Sequence, residues 1–134
     1  MRQTQAQQNS LPFLLLVALT GWVVPGGGYL LLKETGRALI ICITIAVTFC
    51  LGLYIGSIGV VDPFGARLWY MVQMMTTPLV AVVGHFTGPG AYPVYGQPNE
   101  MGVIYTSAAG LLNLLCVVNS VYMAHLRSIQ SSER

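Results

Sequence analysis

The charged residues of this chain come in small groups separated by long intervals that carry none. They sit at Arg2, at Lys33, Glu34 and Arg37, at Asp62 and Arg67, at Glu100, and at Arg127, Glu133 and Arg134. The intervals Gln3–Leu32, Ala38–Val61, Leu68–Asn99 and Met101–Leu126 are free of charge. Each has room for the ~20 mostly apolar residues that cross a ~30 Å hydrocarbon layer. This spacing predicts an all-α, polytopic membrane protein: one membrane domain over residues 1–134, four transmembrane helices at about 11–32, 38–60, 68–84 and 102–126, and a surface loop at 85–100. Composition agrees, with 54% hydrophobic and 7% charged residues, against roughly 25% charged in an ordinary soluble domain.

The same features exclude several function classes. A chain of 134 residues that is filled by helices and their connections leaves no room for a separate soluble catalytic domain. A net charge of +2, dispersed along the chain, does not make a nucleic-acid surface. Cys42, Cys50 and Cys116 all fall inside proposed helices, and Cys42 and Cys50 stand about 12 Å apart along one helix, too far for a disulfide. They are expected to be free thiols. No cysteine pair has metal-ligand spacing, and His85 and His125 lack a nearby carboxylate, so no metal and no cofactor is expected. Arg2 ahead of Leu11–Val24 has the look of a secretion signal, but no small-residue cleavage site follows, and the run is read as a retained first helix.

Within the first interval, Leu11–Val24 alone gives roughly 21 Å of helix, too short to cross. Continuing to Leu32 takes the chain through Pro25, Gly26, Gly27 and Gly28. Proline removes a helical donor, so a break is expected there: either an interfacial loop, or a broken helix whose freed carbonyls are covered by protein. In the second interval, Thr44, Thr48, Gly52, Gly56 and Gly59 recur at steps of four or three, and Gly52–Gly56 is a small-xxx-small pair that lets another backbone approach. The third carries Gln73, Thr76, Thr77 and a mid-helix Pro78 that bends it and frees the carbonyl of Met74. His85 closes that span, and the loop 85–100 is rich in glycine and proline. In the fourth, Gly102, Thr106, Ala109, Asn113, Cys116 and Ser120 form a small or polar stripe, with Gly110 beside it. Asn113 and Asn119 are expected to face another helix or backbone exposed at a break, because an asparagine facing lipid is costly.

Two stretches carry a resemblance to a known group. The first is Gly21-Trp22-Val23-Val24-Pro25-Gly26-Gly27-Gly28-Tyr29 followed by Gly36-Arg37-Ala38-Leu39. The second is Glu100-Met101-Gly102-Val103-Ile104-Tyr105-Thr106 running into Ala109-Gly110-Leu111-Leu112-Asn113-Leu114-Leu115. They resemble an uncharacterised bacterial family of small polytopic membrane proteins with a Trp-x-x-Pro-Gly-x-Gly element, and more distantly the two-transmembrane-helix hairpin family. This sequence departs from the pattern at Tyr29, where histidine is usual, at Leu31, where an aromatic residue is usual, and at Asn119, where aspartate is usual. Those departures remove the ionisable groups that a proton or metal role would use. The resemblance implies a fold and a membrane address, and no activity.

The expectation is therefore a non-enzymatic structural or accessory subunit of a bacterial inner-membrane complex. Its partners would be the lipid bilayer and either other membrane subunits or further copies of itself. Helix packing would run through Gly52, Gly56, Gly102, Thr106, Gly110 and Asn113, with helix breaks at Pro25, Gly26, Gly27, Gly28 and Pro78. Two alternatives stay open. One is a small transporter or lipid-handling protein with a cavity near Pro25, Pro78 and Asn113, and with ligand contacts at Asn113, Asn119 or His85. The other is a pigment- or haem-associated subunit ligated through His85. With four crossings both termini share a side. Arg2, Arg67, Arg127 and Arg134 then oppose Lys33 and Arg37, which favours cytoplasmic termini and periplasmic loops at Lys33–Arg37 and His85–Glu100.

Overall fold

The computed structural model describes residues 2–87 and 96–132. Among them are α1 (Arg2–Val23), α2 (Gly27–Leu31), α3 (Thr35–Gly56), a 3-10 turn (Ile58–Val60), α4 (Arg67–Met74), α5 (Leu79–Phe86) and α6 (Gln97–Ser132), with no strand among the described residues. The architecture is all-helical. Two helices are long and apolar enough to cross a membrane: α3, with a mean hydropathy of 2.6, and the Asn99–Gln130 part of α6, with 1.8.

The axis of the fold is α6, 36 residues long and therefore ~54 Å from end to end. One side of it is small or polar and buried: Gly102, Thr106, Ser107, Ala109, Gly110, Asn113, Ser120 and Ala124. Every other long element packs on that side, because only there does the absence of bulk let backbones come close. Helix α3 runs antiparallel to α6. Its first turn lies at the α6 C-terminal end, where Arg37 Nη1 is 3.9 Å from Met123 Sδ. Its last turns cross α6 at Gly102 and Thr106: a Cβ on Gly102 would stand 2.8 Å from both Gly52 O and Gly56 Cα, and one on Gly52 would stand 2.9 Å from Thr106 N.

The remaining helices form two hairpins that lie against α6 from opposite ends. In the first, α1 descends from the α6 C-terminal end and stops at Val23, since Pro25 has no N–H to continue the ladder. Gly26 then reverses the chain with φ 81°, a left-handed conformation that favours glycine, and a Cβ there would meet Ala38 O at 2.6 Å. Helix α2 climbs back along α1, with Gly28 seated against Ser120 and Val17 O. Leu32 joins Val17 and Ala124 in a small apolar core flanked by Leu14 and Val121. In the second hairpin, α4 starts near the α6 N-terminal end and rises to Met74. Pro78 disfavours a helical Thr77, the chain turns, and α5 returns. Gly84 of α5 lies against the Tyr70 ring, and Thr87 Oγ1 donates to Val61 O at 2.6 Å.

These contacts revise several sequence expectations. The stretch 68–84 is two antiparallel eight-residue helices, each only ~12 Å long, where one kinked helix was expected. Helix α3 ends at Gly56, and Ser57, with φ 63°, turns the chain into the 3-10 segment, so the second stretch is shorter than 38–60. Its buried positions are Ala38, Ile45, Gly52 and Gly56, a line that does not pass through Thr44. Thr44 is exposed and bonds Ile40 O of its own helix at 2.8 Å. The fourth helix begins at Gln97 and α5 extends to Phe86, so the loop 85–100 is shorter at both ends, and its centre, 88–95, lies outside the described residues.

The largest revision concerns the segment Lys33–Arg37. Arg127 donates from Nη1 to Leu32 O at 2.6 Å and from Nη2 to Glu34 Oε1 at 2.8 Å. That segment therefore lies at the same end of the molecule as the C-terminal part of α6, and opposite Asp62, Arg67 and Glu100. A four-crossing layout requires the reverse; the cause is the turn ahead of Pro78, which sends α5 back along α4, so that α6 starts at the end where α3 stops and runs antiparallel to it.

Candidate functional site

The tips of the two hairpins meet beside Asn113, and the meeting point is built from the carbonyls that their prolines leave without donors. In a continuous helix the residue at position 25 would donate to Gly21 O, and the residue at 78 to Met74 O; proline can do neither. Gly21 O instead receives Asn113 Nδ2 at 3.3 Å, and Met74 O receives the indole N–H of Trp22 at 3.0 Å. Asn113 Nδ2 also reaches Met75 O at 3.0 Å and Thr76 O at 2.9 Å, carbonyls of the turn that follows α4. Thr77 Oγ1 closes the junction by donating to Val23 O at 2.9 Å. One amide of α6 thus ties both tips, and each tip gives one side chain to the backbone of the other.

Asn113 is fully buried, as are Gln73 and Thr106. Below the junction, Gln73 Nε2 donates to Thr106 Oγ1 at 2.8 Å and to Val60 O at 3.3 Å, while Thr106 Oγ1 donates to Gly102 O at 2.9 Å. The second hairpin reaches this position because α6 carries Gly110, where a Cβ would fall onto Val72 O. Four buried polar atoms have no hydrogen-bond partner among the described residues: Gln73 Oε1, Thr76 Oγ1, Ser107 Oγ and Asn113 Oδ1. All belong to α4, the turn that follows it and α6, between the Gln73–Thr106 pair and Asn113.

An apolar groove of about 410 Å³ adjoins the junction on its outer side. Its walls are Leu15, Ala18 and Leu19 of α1 with Leu114 and Val117 of α6; Trp22 and Met75, which hold the tips together, form its floor. Sequence reasoning does not locate this groove. Its lining residues come from three separate stretches of the chain, and what brings them together is tertiary packing.

The remaining sequence candidates lie elsewhere. Asn119 Nδ2 donates to the hydroxyl of the buried Tyr29 at 2.7 Å, higher along α6. Tyr29 and Asn119, two of the positions at which this chain departs from the pattern it resembles, are thus partners in one hydrogen bond. His85 is exposed in the last turn of α5, its ring 6.2 Å from that of Phe86 and edge-on to it. Among the described residues no group of three or more His, Cys, Asp or Glu side chains is placed to hold a metal. Gly52, Gly56 and Gly102 form the α3–α6 crossing, while Gly26, Gly27 and Gly28 form the turn and first residues of α2.

A family model covers residues 16–132, which includes the last part of α1, α2, the junction, the second hairpin and all of α6. It describes a family of unknown function, DUF6677. The chain belongs to that family. No curated protein and no solved structure matches the sequence. For this DUF6677 member, function has to be argued from the junction and its surroundings.

Two exchanges at the junction separate its parts. Trp22→Phe keeps the apolar floor of the groove and removes the donor to Met74 O, so a loss of about 0.6–2 kcal/mol is expected, read as a modest fall in melting temperature in detergent. Tyr29→Phe removes only the bond from Asn119, which is exposed to surroundings on one side, and should cost at most about 1 kcal/mol in the same measurement.

Proposed function

We propose that the protein is a non-enzymatic structural or accessory component of the bacterial inner membrane, with α3 and α6 crossing the bilayer and the two hairpins each entering half-way from opposite faces. What supports the membrane placement is the distribution of apolar surface. Only 17% of the apolar window of α3 is buried, whereas the core helix of a soluble protein is mostly covered. Leu39, Ile40, Ile43, Val47, Leu51 and Tyr54 all face outward from it. Asn113 lies near the middle of the uncharged stretch Met101–Leu126, so the tips meet close to the bilayer midplane, where backbone may be irregular only if protein covers it. Orientation follows from basic residues. Lys33, Arg37 and Arg127 share the end that holds the C-terminal part of α6, with Arg67 at the other, a bias that supports a cytoplasmic position for that end.

The observation that carries the structural reading is the set of acceptors of Asn113. Its amide N–H groups serve three backbone carbonyls of two hairpins, which is helix-to-helix fastening, and the tip carbonyls that a transported ion would need already have protein donors. The small-residue faces and the outward apolar face of α3 suit packing against other membrane subunits or further copies. The test is Asn113→Leu in the protein purified in mild detergent, assayed by native gel and by mass spectrometry of what stays bound. The structural reading expects weaker assembly and no lost small molecule. Intact assembly with a co-purifying molecule lost would overturn it. A second reading, a small lipid-handling or transport protein, is favoured by one observation: the unpartnered oxygens of Gln73 and Asn113 lie at a point where two broken helices end.

A further inference from the structure

We propose that the groove between α1 and α6 seats one acyl chain of an anionic phospholipid from the leaflet at the Arg127 end. The inference rests on the membrane placement above and adds a specific ligand to it. Three observations lead there. The first is size: about 410 Å³ lies within the range of small-molecule sites, and the walls are wholly apolar.

The second is depth. The groove occupies only one half of the molecule, alongside Leu15–Trp22 of α1, and its lining at the junction includes Met75 from the opposing hairpin. A partner's crossing helix needs a groove that continues through the full thickness. One that stops at the level of Asn113 fits an occupant that comes half-way, and a lipid tail does. The chain end would rest on Trp22 and Met75, so the lipid would shield the Trp22–Met74 and Asn113–Met75 hydrogen bonds from the outside.

The third is charge. Among described side chains, the end toward which the groove runs from the junction carries Lys33, Arg37 and Arg127 against Glu34, whereas the other end carries Arg67 against Asp62 and Glu100. Arg127 and Glu34 pair with each other, and Lys33 and Arg37 are exposed with no acidic partner among the described residues. Two free cations at headgroup level attract a phosphate that carries net negative charge.

The test uses the full chain reconstituted in vesicles of phosphatidylglycerol and phosphatidylcholine in equal parts, extracted in mild detergent and weighed intact by native mass spectrometry. One phosphatidylglycerol per chain should remain, preferred over phosphatidylcholine by about tenfold. Ala18→Trp, which fills the groove, should lose it, and Leu39→Trp on the outer face of α3 should keep it. The double variant Lys33→Gln, Arg37→Gln leaves the groove untouched and should abolish the preference for phosphatidylglycerol, so the proposal stays testable if Ala18→Trp fails to fold. Retention that survives Ala18→Trp, equal retention of both lipids by the unaltered chain, or a lipid-free dimer would each overturn the proposal. Flotation of the same vesicles reads membrane placement separately: a protein that does not float refutes the placement, whereas one that floats but holds no lipid refutes the groove alone.

Discussion

Gly110→Ala should destabilise the protein by about 1–3 kcal/mol, although the same exchange in an open helix stabilises by about 0.5–1 kcal/mol. The sign reverses because the added Cβ falls onto the backbone oxygen of Val72 and lies 3.2 Å from Thr76 Oγ1. Backbone cannot rotate aside as a flexible side chain can. The hairpin of α4 and α5 would have to lift from α6, carrying Gln73 from Thr106 and the tip from Asn113. Gly36 is the internal control, since nothing lies within 4 Å of a Cβ there. Melting followed by circular dichroism in one detergent should show Gly110→Ala lower by several degrees and Gly36→Ala unchanged or slightly higher. Equal behaviour of the two would mean that α4 does not touch α6 at Gly110.

Asn113→Leu is the exchange with the widest reach, because one amide serves both hairpins. Its loss leaves Gly21 O, Met75 O and Thr76 O without that donor in an apolar interior. Individual hydrogen bonds between membrane helices average about 0.6 kcal/mol, and a buried acceptor left alone costs about 1–3 kcal/mol, so a total of about 2–4 kcal/mol is expected. Asn113→Asp should be worse than leucine at neutral pH, since a carboxylate would set further acceptors against three carbonyls. The hairpin tips are the parts expected to loosen: backbone amide exchange at Val24–Gly28 and at Thr76–Leu79 should accelerate, while the α3–α6 crossing at Gly52 and Gly102 stays protected.

What could be read from the sequence, and what could not, divides along local and tertiary lines. That the chain is all-helical followed from the spacing of charge, and the family it belongs to is, as expected, one of unknown function. Helix breaks at Pro25-Gly26 and at Pro78 are local chemistry and were legible. Whether a break becomes a kink or a full reversal was not. Pro78 is compatible with either, and the outcome turns on Gly110 giving α4 a place to end and on Asn113 receiving its last carbonyls. The polarity of Asn113 marked it as needing partners, but its acceptors come from Gly21 and Met75, 92 and 38 residues away. Thr44 misled because a threonine that bonds its own helix needs no neighbour. The end at which Lys33–Arg37 lies was not legible, because it depends on whether the chain reverses ahead of Pro78.

That reversal gives the most direct measurement of the central claim, that the apolar stretch 68–84 enters half-way and returns as a hairpin. In a chain with Cys42, Cys50 and Cys116 replaced by alanine, single cysteines at Thr35, Gln130, Phe64 and Glu100 are treated with a membrane-impermeant thiol reagent in intact cells and again after lysis. Two opposed hairpins predict that Thr35→Cys and Gln130→Cys behave alike, both shielded until lysis, while Phe64→Cys and Glu100→Cys are modified from outside. Labelling of Thr35→Cys from the side opposite Gln130→Cys would mean that the stretch 68–84 crosses the membrane, and would contradict the account.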